Sequence, residues 1–358
     1  MLPHTALRPL LCRSPLHPDE SLSSYLIRLA LANSYEPYSL LTNLIHRRLC
    51  RIGIRDNPHA PKRPGTFDVL SELTWAGAHE IAAASIHRLA QAPVLAQRRQ
   101  DQIRLSNGQR FPLLDRIAKS RKLRRDQQAQ FCPDCLREAA YHRLSWIPLE
   151  ITVCLKHQCL LVDDCPCGHN WLSVHEIVRR RCSWCGLDPV NVSSEYIPDD
   201  SLELFAQEMI QSWWGMAIPP KTRSAWSLPV EPMATLYRLF AVLRESVSAV
   251  WAWEYFYELV SMRPDIHYTQ TAAFSALVDW PRGFWSFLQA HLQRERALHQ
   301  HNWLVHSDKE SKTLEQLWEL AEEERFRFLR EALSRFLADN GFRFHTIYGR
   351  TRIYWPGW

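Results

Sequence analysis

The feature that most restricts how this chain can fold is the run of cysteines and histidines between residues 132 and 185, which holds eight of the ten cysteines. It opens with Phe131-Cys132-Pro133-Asp134-Cys135 and continues with Val153-Cys154-Leu155-Lys156-His157. It closes with Cys165-Pro166-Cys167-Gly168-His169 and Cys182-Ser183-Trp184-Cys185-Gly186. Two residues between paired ligands let both side chains turn onto one ion. A second pair at a distance then completes a tetrahedron of soft thiolate and imidazole donors. The spacing predicts one site from Cys132, Cys135, Cys154 and His157 and another from Cys165, Cys167, Cys182 and Cys185, that is, two structural zinc ions. In the second set the single residue between Cys165 and Cys167 is tighter than the common pair, and His169 or Cys159 is an alternative ligand there.

Other uses of these residues fit less well. Disulfide frameworks belong to short secreted chains; this chain has 358 residues, and its start lacks a basic segment followed by a long apolar run. So many thiols fit a reducing cytosol. Four protein ligands leave no position for a reactive water, and the chain contains neither His-Glu-x-x-His nor His-x-Glu.

The chain length suits two or three domains, and no apolar run approaches the ~20 residues needed to span a bilayer. The net charge of +5 is a mild excess whose placement matters more than its size. Five of the seven residues 119–125 are basic (Lys119, Arg121, Lys122, Arg124 and Arg125), and Arg179, Arg180 and Arg181 form a second cluster. Both are candidates for phosphate or acidic-protein contact, against the plainer reading of a solvated linker.

The remainder reads as helix, so the expected fold is mainly α and multidomain. It comprises an N-terminal helical, helix-turn-helix-like domain (1–118), a basic segment with the double zinc-knuckle module (119–192), and a C-terminal helical domain with a short terminal β-hairpin (193–358). Asp19-Glu20-Ser21-Leu22 is a helix start, and Leu22, Leu26, Leu29 and Ala30 make one buried stripe with Arg28 on the other side. Pro37 opens a second helix through Leu41, Ile45 and Leu49. Two helices flanking Trp75-Ala76-Gly77 outline a helix-turn-helix, a shape that small helical bundles also contain. A second such corner is expected around Asp279-Trp280-Pro281. The aromatics Trp251, Trp253, Tyr255, Phe256 and Tyr257 read as core, His299, His301 and His306 as solvated, and residues 344–354 as a terminal hairpin.

The phrase Pro15-Leu16-His17-Pro18-Asp19-Glu20-Ser21-Leu22-Ser23-Ser24-Tyr25-Leu26-Ile27-Arg28-Leu29-Ala30 resembles the opening of the TniQ/TnsD family. So do Phe131-Cys132-Pro133-Asp134-Cys135-Leu136-Arg137-Glu138, Trp146, Val153-Cys154-Leu155-Lys156-His157 and Cys165-Pro166-Cys167-Gly168, in the family's order. The Cys-x-Cys-Gly form and the chain length are closest to TniQ of CRISPR-associated transposons. This resemblance implies a non-enzymatic adaptor, cytoplasmic and nucleoid-associated in a bacterium, acting as a homodimer. It would link an RNA-guided Cascade complex with its guide RNA to the AAA+ regulator TnsC and touch DNA weakly or indirectly. The alternatives are a TnsD-like protein that reads a DNA site itself, a zinc-containing transcription factor using the corner at residues 66–90, and a zinc-dependent nuclease or hydrolase.

Overall fold

A computed structural model of the chain describes residues 9–58, 61–92, 101–104, 110–113, 128–169, 171–216, 233–258, 266–301, 311–347 and 350–354. Among the described residues the fold is mainly helical with three short antiparallel hairpins, and the chain divides into two compact units, Met1–Ala217 and Ile218–Trp358. No helix among the described residues is long and apolar enough to cross a membrane.

The first unit begins with α1 (Leu22–Ala32), α2 (Ser39–Arg51), α3 (Pro64–Leu73) and α4 (Ala78–Ala84). Ser21 starts α1 by accepting the Ser24 N–H on its hydroxyl, which satisfies one of the four donors a helix leaves open. Leu22, Leu26, Leu29 and Ala30 then point inward and meet Leu41, Ile45 and Leu49 of α2 and Phe67, Leu70 and Leu73 of α3. Arg28 departs from the solvent-facing position expected of it. Its Nε and Nη2 each lie 2.7 Å from the Glu20 carboxylate, whose side chain is wholly buried. The α3–α4 corner is closed by the Gly77 N–H on the Glu80 carboxylate at 2.7 Å. At its tip Trp75 is 72% exposed, with the Arg13 guanidinium 4.6 Å from its ring. A hairpin of β1 (Asp101–Arg104) and β2 (Arg110–Leu113) follows, an element the helical reading missed.

A strap at residues 141–146 stitches these helices to the cysteine module. The Ser21 N–H donates to the His142 carbonyl (2.9 Å), the Leu144 N–H to the Asp19 carbonyl (2.7 Å), and the Ser145 hydroxyl to the Asp19 carboxylate (2.6 Å). Burial pushes the Asp19 carboxyl up, against the Ser145 hydrogen bond that pulls it down. On the far side of the module, α7 (Leu202–Trp213) lies along the strand leading to Cys154. Gln207 accepts the Thr152 N–H and donates to the Glu150 carbonyl, both at 3.1 Å, and Gln211 donates to the Val153 carbonyl at 2.9 Å. Backbone polar groups that would otherwise be buried unpaired are thereby satisfied by side-chain amides.

The second unit comprises α8 (Met233–Glu258), α9 (Ile266–Ser275), α10 (Arg282–His301), α11 (Lys312–Ala321), α12 (Arg327–Asp339) and the hairpin β5 (Arg343–Ile347) and β6 (Arg350–Tyr354), with Ile347 opposite Arg350. The α9–α10 corner falls at Asp279-Trp280-Pro281 as the sequence suggests. Gly283 is required there, because a Cβ would stand 2.0 Å from the Val278 carbonyl oxygen. Trp280 stacks on Phe284, and the Trp285 indole donates to the Ala332 carbonyl at 2.9 Å. The side chains of Trp251, Trp253, Tyr255, Phe256, Tyr257, His299 and His301, and all of His306, lie outside the described residues.

His291 of α10 is buried against Phe287 and Thr313, and burial, then the charge of Arg294, lowers its pKa to about 4. A histidine of the unfolded chain protonates near ~6.5, so the unfolded state takes up the proton first as the pH falls. The second unit should therefore lose roughly 3 kcal/mol of stability between about pH 6.5 and 4 through this residue. Denaturant unfolding at pH 7 and pH 5 measures this, and His291→Phe should flatten the difference; an equally steep profile in the variant would assign the loss to other groups.

Candidate metal centres

The eight donors predicted from spacing come together as two sets of four. The atoms within each set lie within 4.8 Å of one another.

In the first set Cys132 is the N-cap of α5 (Pro133–Glu138). Pro133 fits the first helical position because it has no N–H to satisfy, and the Cys135 N–H turns back onto the Cys132 sulfur at 3.4 Å. Cys154 ends β3 (Val153–Cys154), and the turn back into β4 (Cys159–Leu160) carries His157. The His157 Nδ1 stands 3.3 Å from the sulfurs of Cys132 and Cys135 and 3.6 Å from that of Cys154, and the Cys135 and Cys154 sulfurs are 3.7 Å apart. A tetrahedral zinc with ordinary bond lengths demands edges of about 3.8 Å between sulfurs and about 3.5 Å from sulfur to nitrogen, so this donor set fits the ion. On the other side of the ring, Nε2 lies 3.1 Å from Glu138 Oε1, and Glu138 is also paired with Lys156. Nε2 then carries the proton, which leaves the Nδ1 lone pair facing the sulfurs.

Electrostatics also favours a cation. Packed this closely, the thiols compete for charge. Hydrogen bonding from Cys132 and then Cys135 pulls the Cys154 thiol far below its usual range, while hydrogen bonding with Cys135 and then Cys154 pushes Cys132 far above it. A divalent cation removes the conflict by letting every sulfur keep its charge.

In the second set the Cys165 and Cys185 sulfurs are 3.6 Å apart and those of Cys167 and Cys182 are 3.9 Å apart, again close to a tetrahedral edge. Both knuckles turn on a glycine in the left-handed region, Gly168 at φ +87° and Gly186 at φ +76°. Glu176 of α6 (Val174–Val178) anchors the second knuckle. Its carboxylate accepts from the Ser173 N–H and hydroxyl and from the Ser183 N–H, each at 2.8 Å. Burial works against its charge, yet these donors from Ser183 and Ser173 hold it down at about 2.

The two alternative ligands considered for this second set are placed elsewhere. His169 stacks on Trp184 at 4.7 Å and lies 3.4 Å from the Glu176 carboxylate. The Cys159 sulfur is 3.5 Å from that of Cys132, beside the first set, because β4 pairs Cys159 directly with Cys154. Spacing alone did not reveal Glu138, Glu176 or this place of Cys159. The first two follow their cysteines or precede them by several residues, and only the fold brings them back.

The basic candidates separate. Arg179, Arg180 and Arg181 are all exposed, with Arg179 3.0 Å from Glu36 and Arg180 2.7 Å from Asp188. Lys119, Arg121, Lys122, Arg124 and Arg125 lie outside the described residues.

No curated protein matches the chain. The TniQ family model matches residues 11–161, a span that takes in the α1–α4 helices, the 141–146 strap and the whole first donor set. Within that span the α1 start and the cysteine module hydrogen-bond to each other through the strap. Residues 11–161 are therefore a TniQ domain, of the kind associated with target selection in transposition.

Proposed function

We propose that this protein is a non-catalytic adaptor of transposition, which joins an RNA-guided Cascade complex to the AAA+ regulator TnsC and so directs insertion of transposon DNA. The TniQ match over residues 11–161 carries the reading. The donor geometry supports it: each metal site is closed by four protein ligands, which is the arrangement of a structural zinc and not of a hydrolytic one. Both sites hold zinc in this reading. The ion braces the module, and the protein works by being gripped, as a homodimer in the bacterial cytoplasm, between other macromolecules. The basic residues at 119–125 and Arg179, Arg180 and Arg181 are its candidates for contact with guide RNA, DNA or acidic protein surfaces.

Two measurements test this. Metal analysis of the purified chain should give two zinc ions per molecule, and cobalt substitution should give tetrahedral thiolate spectra with no exchangeable water. Co-purification with Cascade subunits and with TnsC should recover both partners. A tight footprint on one DNA sequence, resistant to salt and formed without other proteins, would instead point to a TnsD-like reader of its own site. The adaptor reading expects weak, nonspecific DNA binding that falls steeply with salt.

A further inference from the structure

The two donor sets differ in how their sulfurs meet solvent. Cys132, Cys135 and Cys154 are 0%, 2% and 6% exposed, and the first set meets water chiefly through the imidazole of His157. In the second set Cys167 and Cys185 are exposed while Cys165 and Cys182 are buried. The short contacts pair one sulfur of each kind: exposed Cys185 with buried Cys165 at 3.6 Å, and exposed Cys167 with buried Cys182 at 3.9 Å. An oxidant therefore reaches one sulfur of a pair, with the resolving sulfur waiting behind it. Thiolate oxidation follows access, so buried structural cysteines stay inert where exposed ones react.

We propose that the second set is a redox-sensitive modification site, at which peroxide forms a disulfide between an exposed and a buried cysteine and frees the zinc, while the first set stays loaded. This rests on the reading that both sets hold zinc. The Cys185 thiolate attacks hydrogen peroxide, breaks the O–O bond and becomes a sulfenic acid, releasing hydroxide. The Cys165 thiolate then attacks the Cys185 sulfur, the S–S bond forms, and a second hydroxide leaves. Two thiolates have lost two electrons, and one peroxide has gained them. Cys167 and Cys182 alone no longer retain the ion, and the same chemistry is open to them.

The structural consequence falls on α6. This helix packs on α1, its His175 ring stacks on Tyr38 at 5.9 Å, and Arg179 just beyond it pairs with Glu36. The Cys182 knuckle is tied to the same helix through Glu176 and the Ser183 N–H. Losing the second ion slackens that anchor beside the α1–α2 junction and leaves the α5, β3 and β4 site in place.

The experiment uses the full-length chain with Cys12→Ser and Cys50→Ser, because those two cysteines are exposed and belong to neither set. Zinc content is measured first. Hydrogen peroxide is then added with a chromogenic chelator present, and disulfides are mapped by peptide mass spectrometry. One zinc should leave at least about tenfold faster than the other. The early disulfides should join Cys185 to Cys165 or Cys167 to Cys182, with Cys132, Cys135 and Cys154 still reduced. Dithiothreitol and added zinc should restore two ions. Two ions leaving together, or oxidation starting at Cys132, Cys135 or Cys154, would overturn this inference and leave the zinc reading intact. A starting content below two ions would overturn both.

Discussion

Cys154→Ser is expected to collapse the central module and, with both donor sets holding zinc as proposed, to remove one of the two ions. Serine offers a hard, weakly acidic oxygen where the tetrahedron needs a thiolate, and a site closed by four ligands has no spare position from which to recruit another. Apparent binding energies of structural zinc are on the order of 10–16 kcal/mol, and in modules of this size that energy is folding energy. A net stability of about 5–15 kcal/mol cannot absorb the loss of a large share of it. The position within the fold sharpens the expectation. Cys154 is the residue through which β3, the β4 return and the α7 clip at Thr152 and Val153 meet α5. Metal analysis and thermal unfolding followed by circular dichroism give the readout: one zinc per chain, a broadened and lowered transition, and poor solubility. Cys12→Ser is the matched control, because that exposed thiol lies in neither set and its replacement should stay within about 0.5 kcal/mol. A Cys154→Ser protein that keeps two ions and an unshifted melt would show that the donors are misassigned.

What the sequence discloses here depends on whether a residue's role is local or closed across the chain. The donor quartets are legible because metal coordination demands fixed residue types at short spacing, and Ser21 is legible because an N-cap acts on the next three residues. Other features escape for opposite reasons. The β1–β2 hairpin was overlooked although Asn107-Gly108, a strong turn signal, lies between its strands; its few apolar residues gave no alternating pattern to compete with the helical expectation. By spacing Cys159 is an alternative ligand for the cysteines downstream, whereas a two-residue β-ladder folds it back beside Cys132. Glu138 and Glu176 look like surface acids on short helices until the fold aims one at the free nitrogen of His157 and the other at the Ser183 knuckle. Arg28 is the same case in the helical part. A periodicity argument puts it opposite the buried stripe, and nothing local says that a buried carboxylate waits eight residues upstream.

Arg28→Ala should consequently destabilise the first unit more than an ordinary helix-surface substitution does, by about 3–5 kcal/mol. The Glu20 carboxylate is fully buried and accepts from four donors: Arg28 Nε and Nη2 at 2.7 Å, the Ser24 hydroxyl at 2.9 Å and the His17 N–H at 3.1 Å. Removing the guanidinium leaves a charge in the interior with neutral partners only, and the expense of the variant is chiefly that orphaned carboxylate. Arg28 also donates to the Pro15 carbonyl at 2.8 Å, so the segment from Pro15 to Glu20 loses a fixed point as well. Lysine cannot reproduce the two-pronged contact, and Arg28→Lys should fall between wild type and alanine. The discriminating variant is the double change Glu20→Leu with Arg28→Met. If the pair is held for geometry rather than for net stability, the double variant regains most of what Arg28→Ala loses. Urea unfolding of wild type, Glu20→Leu, Arg28→Met and the double variant closes a thermodynamic cycle on the pair. A single-variant loss under about 1 kcal/mol would mean that water reaches Glu20 in solution and that the ion pair contributes no more than an exposed one.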